Sequence, residues 1–340
     1  MFTDIGIDLG TDRTTIIRGK SVVLSEPSVV IMDDYSDQPY KIGSEAYQAI
    51  GRVSDKYRAV CPIERGVIAD YNVAEHMLRS FMTTVCGQKM TKPRVMIAIP
   101  SGVTTMSQRA IINAVQNAGG RAVCPIEAPV AAAMGMGIDF TKPRGSIIVD
   151  IGAGTTDVAV MSMGGLSKCE SAPVAGNDID DAIIRHIKKE YNLLIGRHTA
   201  RDIKHQIGTA VMRDVEVAMQ AKGLDLSTGL PGMTEVTANE ICEAISEETE
   251  QICAAIQAVL NKTPPELVGD IAADGIYACG GTMMLSGMRE LLSERLGIKI
   301  NMPANPLGCV VKGLGVALRQ MGIMGNRGYQ FHTTRDLIIE

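Results

Sequence analysis

The sequence predicts an α/β protein made of two similar halves, each with a β-sheet core flanked by helices. The first observation is a repeated pattern of an apolar strand, an Asp, an apolar residue and a Gly, at 5–10 and again at 148–152. Each copy runs through small or hydroxylated residues into a second apolar stretch, which is typical of a strand, a tight turn and a second strand. The second observation is that strand-like and helix-like segments alternate along the chain, which favours open, mostly parallel sheets covered on both faces.

The first half starts with one of these hairpins and ends with an alanine-rich helix. Apolar residues from Val73 to Val85 recur at three- and four-residue steps, which predicts a helix that stops at Gly87. Ser101 and Thr104 are candidate caps for a later helix. The predicted segments are strand material at 21–32, a polar turn at 33–39, a partly helical stretch at 41–58, the helix ending at 87, a strand at 94–99, a helix ending at 118, a strand at 123–126 and a helix that begins at Glu127.

The second half repeats this alternation after the second hairpin. Its predicted segments are helices at 178–191 and 199–212, a sheet-like interval up to 236, a helix at 238–260, a strand at 275–279, and helices at 283–296 and 313–321. The Lys-Pro-Arg-Gly segment at 142–145 is the best boundary between the halves. The predicted domains are 1–144 with a small inserted subdomain at about 33–66, 145–321 with a helical insertion at about 178–255, and a tail at 322–340 that either returns to the first half or is disordered.

Composition argues against several classes of protein. The net charge is −5, from 33 basic and 38 acidic residues, so there is no broad basic field to attract nucleic acid. The eight cysteines form no Cys-x-x-Cys pair and the five histidines are scattered, which favours reduced cysteines in a cytosolic protein over disulfides or a zinc site. The chain enters a strand by residue 5, which argues against a signal peptide, and its apolar runs are too short to cross a bilayer.

The turns of the two hairpins have the composition of a phosphate site. Glycine lets backbone N–H groups approach an anion, Thr hydroxyls add donors, and an Asp at the end of a strand can hold a hydrated Mg²⁺. One such pattern commonly marks an ordinary turn, but two that face each other would form a phosphate clamp between the halves. A third glycine turn, Gly280-Gly281-Thr282, follows a strand and suits contact with a base or a phosphate. The Rossmann fingerprint lacks its last Gly here, and no Gly-Lys-Ser or Gly-Lys-Thr of a Walker loop occurs.

These features together resemble the nucleotide signature of the actin, heat-shock chaperone and sugar-kinase superfamily. Within it, the chain resembles the MreB family of bacterial actins, which organise cell-wall growth in rods. The segments that carry this resemblance are DIGIDLGT at 4–11, EPSVV at 26–30, GVIADY at 66–71, PRVMIAIPSGVT at 93–104 and KEYNLLIG at 189–196. The resemblance runs from residue 2 to about residue 321, and it implies an actin-like fold with ATP and Mg²⁺ in the cleft between the halves.

The resemblance also implies roles for individual residues. Asp8 and Asp150 would face Mg²⁺ and its waters, and Glu127 would position the water that attacks the γ-phosphate. From its position alone, Glu127 is equally an acid favoured by the dipole at the start of a helix. Thr155 and Thr156 would reach the γ-phosphate. The phosphate-binding turns would comprise Gly10, Thr11, Asp12, Arg13, Gly152, Ala153 and Gly154, and the adenosine side would comprise Lys204, Gly280, Gly281 and Thr282.

The chain departs from the family pattern at three positions. Residue 201 is Arg where the family has an acid that contacts the ribose, so an acceptor for ribose hydroxyls has become a cation unless Asp202 or another acid substitutes. Arg13 stands where smaller polar residues are more usual, and it either adds a phosphate contact or points to solvent. Ala153 replaces a Gly, which a negative φ would tolerate.

The resemblance implies an ATP-binding and ATP-hydrolysing cytoskeletal protein that polymerises into filaments and maintains rod shape. Its implied partners are other copies of itself, the cell-wall elongation machinery and the inner face of the cell membrane, reached from the cytoplasm. Met90, between Lys89 and Lys92, is the apolar residue of the loop that would touch the membrane, so attachment would be weak and would depend on assembly. The alternatives are a non-polymerising ATPase of the same fold and a small-molecule kinase, which would need a base Asp in the first half.

Overall fold

The computed structural model describes residues 4–87 and 92–326. Strands and helices alternate through both halves, as the sequence predicts. The elements of the first half are β1 (Ile5–Leu9), β2 (Arg13–Arg18), β3 (Ser21–Pro27), β4 (Val30–Asp33), β5 (Gln38–Ile42), α1 (Ser44–Ala49), β6 (Tyr57–Val60), β7 (Ile63–Glu64), β8 (Val67–Ile68), α2 (Tyr71–Cys86), β9 (Arg94–Ile99), α3 (Thr105–Asn117), β10 (Ala122–Glu127) and α4 (Ala128–Met136). Those of the second half are β11 (Ser146–Ile151), β12 (Thr156–Ser162), β13 (Gly165–Ala172), α5 (Gly176–Tyr191), β14 (Leu193–Leu194), α6 (Arg197–Gln206), β15 (Ala218–Asp225), β16 (Pro231–Thr237), α7 (Ala238–Ala244), α8 (Ser246–Asn261), α9 (Pro265–Asp274), β17 (Ile276–Cys279), α10 (Met288–Leu296), β18 (Ile300–Asn301) and α11 (Cys309–Asn326), with 3₁₀ turns at Gly281–Met284 and Pro306–Gly308.

Each half is centred on a five-stranded sheet, and the two sheets have the same arrangement. The strand order is β10-β9-β1-β2-β3 in one and β18-β17-β11-β12-β13 in the other. The central strands β1 and β11 are each antiparallel to the second strand of their hairpin and parallel to a strand that arrives after a crossover. The prediction of mostly parallel sheets is wrong, because the hairpins make two of the four neighbouring pairs in each sheet antiparallel.

Besides the two-stranded sheet of β7 and β8, two three-stranded sheets lie outside these cores. One has the order β5-β4-β6 and lies beside α1, and the other has the order β14-β15-β16 and lies beside α6. They fall in or next to the segments predicted as insertions, whose boundaries stay a prediction. Within the described parts of the chain, no helix has both the length and the apolar character needed to cross a membrane.

Helices α4 and α11 join the two halves. A Cβ on Gly313 of α11 would lie 1.6 Å from the carbonyl oxygen of Ala131 in α4, and a Cβ on Gly135 would lie 2.0 Å from that of Cys309. Only glycine therefore lets these two backbones touch. Helix α11 packs on β1 of the first sheet while α4 packs on β11 of the second. From residue 309 onward the chain therefore packs against both α4 and the first sheet, and the predicted domain boundary at 321 stays a prediction.

Several predicted helices differ from the structure. The helix predicted at 199–212 ends at 206, that at 283–296 starts at 288, that at 238–260 is divided into α7 and α8, and α9 was not predicted. The first two differences have one cause. Thr209 forms a β-bridge with Ser286, and the Ala210 N–H donates to the Ser286 carbonyl over 2.7 Å. This long-range contact ends one helix and delays the other.

Candidate functional site

The carboxylates of Asp8 and Asp150 lie near the carboxyl ends of β1 and β11, the central strands of the two sheets. Asp8 is paired in register with Thr15, and Asp150 with Asp157. Burial raises the pKa of Asp8 to about 7. Burial, then the negative charges of Asp157 and Asp8, raise the pKa of Asp150 to about 8. Two acids that repel each other across a cleft indicate a place for a cation.

The turns that follow these acids have the same backbone bond. The Gly10 N–H donates to the Arg13 carbonyl over 3.2 Å, and the Gly152 N–H donates to the Thr155 carbonyl over 2.9 Å. The repeated sequence pattern therefore folds into a repeated turn.

The two turns face each other across the cleft, as a clamp requires. A Cβ on Gly154 would lie 2.6 Å from the Thr11 hydroxyl oxygen, so no side chain fits at this position without a shift. The same hydroxyl oxygen accepts a hydrogen bond from the Gly66 N–H over 3.0 Å. Thr11 is thus the meeting point of the first turn, the second turn and the loop between β7 and β8.

Hydrogen bonds from two neighbouring segments hold the second turn in place. The Gly152 carbonyl accepts hydrogen bonds from the Thr282 hydroxyl over 2.7 Å and from the Gly176 N–H over 3.2 Å. The Asn177 N–H, in the first turn of α5, donates to the Ala153 carbonyl over 2.8 Å. Thr282 is buried and its hydroxyl holds the turn. Thr282 therefore has a bracing role, and its contact with adenosine stays a prediction.

The Gly-Gly turn lies directly against the second hairpin. Gly280 has a φ of 93°, and a Cβ there would lie 2.2 Å from the Ile151 carbonyl oxygen and 2.6 Å from Asp150 Oδ1. Gly281 is less crowded, since an added Cβ would meet only Leu307, at 3.1 Å. Packing thus requires glycine at 280, whereas 281 is the more open of the two.

A cavity of about 510 Å³ lies between the halves beside the second turn. Its walls include Arg65 and Ser101 from the first half and Thr155 and Cys169 from the second. Burial and then the charge of Glu127 raise the pKa of the Cys169 thiol, so the Glu127 carboxylate lies near this cavity. Glu127 is also the N-cap residue of α4, at the end of β10. Thr155 therefore lines this cavity, and Glu127 lies within electrostatic range of Cys169 on its wall.

The two adjacent threonines of the second turn have different environments. The Thr155 hydroxyl donates to Asp157 Oδ2 over 2.8 Å and lines the cavity. Thr156 is fully buried, and its hydroxyl donates to the Val174 carbonyl over 2.7 Å, so its predicted reach to a γ-phosphate is not supported. Sequence analysis missed Asp157, whose Oδ1 accepts from the Ser101 N–H of the other half over 3.2 Å. An acid inside the apolar run that follows the turn is the signal that could have found it.

Arg13 and Asp12, both predicted for the first phosphate turn, have partners on other elements. Arg13 is exposed and donates to the Ser25 carbonyl on β3 over 3.0 Å, so the structure does not bring it to the second turn. Asp12 forms an ion pair with Arg201, with 2.6 Å between Oδ1 and Nη1. Met90 lies outside the described residues.

Lys204 lies on α6 against the first turn of α5. Its Nζ donates to the Gly176 carbonyl over 2.7 Å and pairs with Asp180 Oδ1 at 2.6 Å. Burial lowers the pKa of Lys204, while the charge of Asp180 opposes this shift. Lys204 therefore lies next to the residues that brace the second turn, at the edge of the site.

The residues brought together fit an anionic ligand with a hydrated divalent cation. Mg²⁺ prefers hard oxygen ligands and is commonly held by one or two carboxylates together with phosphate and water. Asp8 and Asp150 supply such carboxyl groups, and burial, which raises the pKa of both, disfavours their charged forms unless a cation lies nearby. Among the described residues, no three or more His, Cys, Asp and Glu side chains converge on a metal position.

Comparison with known proteins agrees with this geometry. A family model described as MreB/Mbl protein matches residues 2–326. The cell shape-determining protein Mbl of Bacillus subtilis is 40% identical over 326 residues, which cover 95% of this chain and 98% of that protein. The cell shape-determining protein MreB of Escherichia coli is 39% identical over 329 residues, with 95% of each chain covered.

Solved structures of MreB5 and MamK resemble this chain in fold. MreB5 of Spiroplasma citri bound to AMPPNP superposes with a TM-score of 0.90 at 32% identity, covering 96% of this chain and 99% of that one. The same protein bound to ADP gives a TM-score of 0.90 at 33% identity, covering 96% and 98%. A MamK double helical filament gives 0.79 at 19% identity, covering 94% and 99%, a likeness of fold alone. The fold is therefore actin-like.

Proposed function

The chain belongs to the MreB/Mbl family, and from this premise we propose that it binds and hydrolyses ATP and assembles into filaments that scaffold cell-wall growth in a rod-shaped cell. It is an actin-like cytoskeletal protein of the rod-shape class. The observation that carries the proposal is the contact between the two repeated turns, where Gly154 of one half meets Thr11 of the other. The nucleotides bound by MreB5 of Spiroplasma citri support the same assignment.

In this proposal the two turns hold the phosphates through their backbone N–H groups. Asp8 and Asp150 would hold a hydrated Mg²⁺, which would supply positive charge next to the phosphates. Two buried acids with raised pKa values favour this role, because a cation between them would relieve their repulsion.

We assign hydrolysis to the cavity beside the second turn. Glu127 orients the attacking water, and its position near Cys169 at the cavity wall supports this role. Thr155 lies on the same wall with its hydroxyl directed to Asp157. Asp157 in turn joins Thr155 to the Ser101 N–H of the other half, so we propose that it positions Thr155 when the halves close.

Assembly would use a head-to-tail contact between copies of the chain. Such a contact does not close on itself, so it generates an open filament. We further propose that filaments lie at the inner face of the cell membrane, with Met90 as a weak anchor that gains strength through repetition along the filament, and that they contact the cell-wall elongation machinery.

Sedimentation and electron microscopy of the purified protein test the proposal. Filaments should appear with ATP and Mg²⁺ and should be fewer in EDTA or without nucleotide, while phosphate release is followed in the same samples. Phosphate release without filaments would favour a non-polymerising ATPase. Failure to bind ATP in the presence of Mg²⁺ would refute the assignment of the clamp.

A further inference from the structure

Arg201 connects the two halves at a point away from their shared apolar core. It lies on α6 in the second half, and its Nη1 is 2.6 Å from Asp12 Oδ1 and 3.3 Å from the Tyr47 hydroxyl, both in the first half. On its own side, its Nε is 3.5 Å from Asp180 Oδ2 and its Nη2 is 3.5 Å from Asn177 Oδ1. One guanidinium group therefore holds four partners, two on each side of the cleft.

Tyr47 completes the contact between α1 and α6. The Arg201 guanidinium carbon lies 5.8 Å from the centroid of the Tyr47 ring, and the His198 ring meets the same ring edge-on at 4.5 Å. The apolar cluster around α1 and the apolar cluster around α6 are separate. The closure of the cleft at this place therefore depends on Arg201, Asp12 and the aromatic contact.

The carboxylates around Arg201 favour its charged form. Burial opposes the charge of Arg201, but the carboxylates of Asp12 and Asp180 outweigh it and raise the pKa of Arg201 above its ordinary value. Asp180 is itself compensated by Lys204 at 2.6 Å. The pair that can open without leaving an uncompensated buried acid is thus the pair across the cleft, since Asp12 is 38% exposed while the Asp180 side chain is 3% exposed.

Asp12 also places this contact next to the phosphate turn. It follows Gly10 and Thr11 directly, and its carbonyl accepts the Ser28 N–H over 2.9 Å, which fixes the turn. An arginine has no acceptor for a ribose hydroxyl, so residue 201 cannot bind nucleotide in that way. The ion pair with Asp12 across the cleft instead gives Arg201 a role in holding the two halves together.

We propose that Arg201, Asp12 and Tyr47 form a clasp that sets the rate at which nucleotide leaves the cleft. The inference rests on the proposed nucleotide function of the two turns. A nucleotide held by those turns leaves only after the halves separate between α1 and α6, and this separation must break the pair of Arg201 with Asp12. The clasp slows dissociation and leaves phosphate recognition to the turns.

Dissociation of a fluorescent ADP analogue, chased with excess unlabelled ADP in Mg²⁺ at concentrations below assembly, tests the clasp. Arg201→Gln and Asp12→Asn should each release the analogue about three to ten times faster, the range expected for a partly exposed ion pair with supporting hydrogen bonds. The double variant should be no faster than the faster single variant, because both changes remove one interaction. Tyr47→Phe, which keeps the ring and loses the hydroxyl, should have a smaller effect.

The matched control is Arg197→Gln. Arg197 lies on the same helix and pairs with Asp181 at 3.1 Å, a partner in its own half, so its loss should not change release. Added salt should speed release from the wild type and from Arg197→Gln, and should affect Asp12→Asn less, because the screened pair is already missing. If the substitutions only disturbed the fold, release from Asp12→Asn and from the wild type would respond to salt in the same way.

Unchanged release from Arg201→Gln and Asp12→Asn, or effects that multiply in the double variant, would overturn the clasp while leaving the nucleotide site intact. No binding of the analogue to the wild type would overturn both the proposed function and the clasp.

Discussion

Replacing Asp150 by Asn is expected to stabilise the metal-free protein while removing Mg²⁺-dependent nucleotide binding. Burial and the charges of Asp157 and Asp8 raise the pKa of Asp150 to about 8, against 3.8 for an ordinary Asp. At neutral pH this carboxyl group is therefore protonated in the folded metal-free protein and ionised in the unfolded chain. Since each pKa unit corresponds to about 1.4 kcal/mol, the roughly three units between its ordinary value and neutral pH cost the folded state on the order of 4 kcal/mol.

The raised pKa also determines the sign of the pH dependence. From about pH 4 to about pH 8 the folded protein binds more protons at Asp150 than the unfolded chain does, so the stability contributed by this group is lost as the pH rises. Asparagine does not titrate. The free energy of unfolding of Asp150→Asn relative to the wild type should therefore increase across this interval.

Urea unfolding in EDTA at several pH values measures this difference. Asp55→Asn, which removes the same charge from an exposed position, serves as the control and should follow the wild type. With ATP and Mg²⁺ present, the wild type should be stabilised by binding and Asp150→Asn should not. Parallel pH profiles for the wild type and Asp150→Asn in EDTA would refute the account of the buried charge, and undiminished affinity for ATP with Mg²⁺ would refute the metal assignment.

Three further predictions concern catalysis, packing and the membrane. Glu127→Ala should still bind ATP and assemble, but phosphate release should fall by about 10²–10⁴ and filaments should persist longer; normal release would remove Glu127 from the mechanism. Gly313→Ala should lower the free energy of unfolding by about 3 kcal/mol or more because its Cβ meets the Ala131 carbonyl at 1.6 Å, whereas Gly269→Ala, with nothing near its Cβ, should not destabilise the protein. Met90→Glu should polymerise normally and pellet less with anionic liposomes, and equal pelleting would place the membrane contact elsewhere.

Elements with strong local signals were predicted well. The strand at 94–99 ends before Pro100, and the helix that ends at Cys86 is followed by Gly87 with a φ of 64°, so the chain carries its own stop signals there. The helix predicted to reach 212 failed for a different reason. Its last residues pair with the segment around Ser286, far away in the sequence, and a local pattern contains no information on that partner.

For the candidate site, too, local sequence patterns predicted some features and missed those that depend on long-range contacts. The pattern that occurs twice predicted two turns that face each other, and the structure places them in contact. The roles of their acids and glycines toward a nucleotide stay a prediction. Arg201 was noticed as a departure, but its partner Asp12 belongs to the other half, so the ion pair appears only when the halves come together. Thr156 was assigned by its place beside Thr155, but the Thr155 hydroxyl donates to Asp157 while the Thr156 hydroxyl donates to the buried Val174 carbonyl.

The repeated hairpins supply the clamp, and the differences between them determine where chemistry can occur. In the first half, Asp8 is in register with the neutral Thr15, whereas in the second half Asp150 is in register with Asp157. The charge of Asp157 adds to burial in raising the pKa of Asp150, whereas burial raises that of Asp8. Asp157 also connects Thr155 to the Ser101 loop of the other half. Both turns thus have an acid that contacts the other half, Asp12 through Arg201 and Asp157 through the Ser101 N–H. Asp157 also accepts the Thr155 hydroxyl at the cavity, so we infer that hydrolysis occurs at the second turn while the first turn serves in binding.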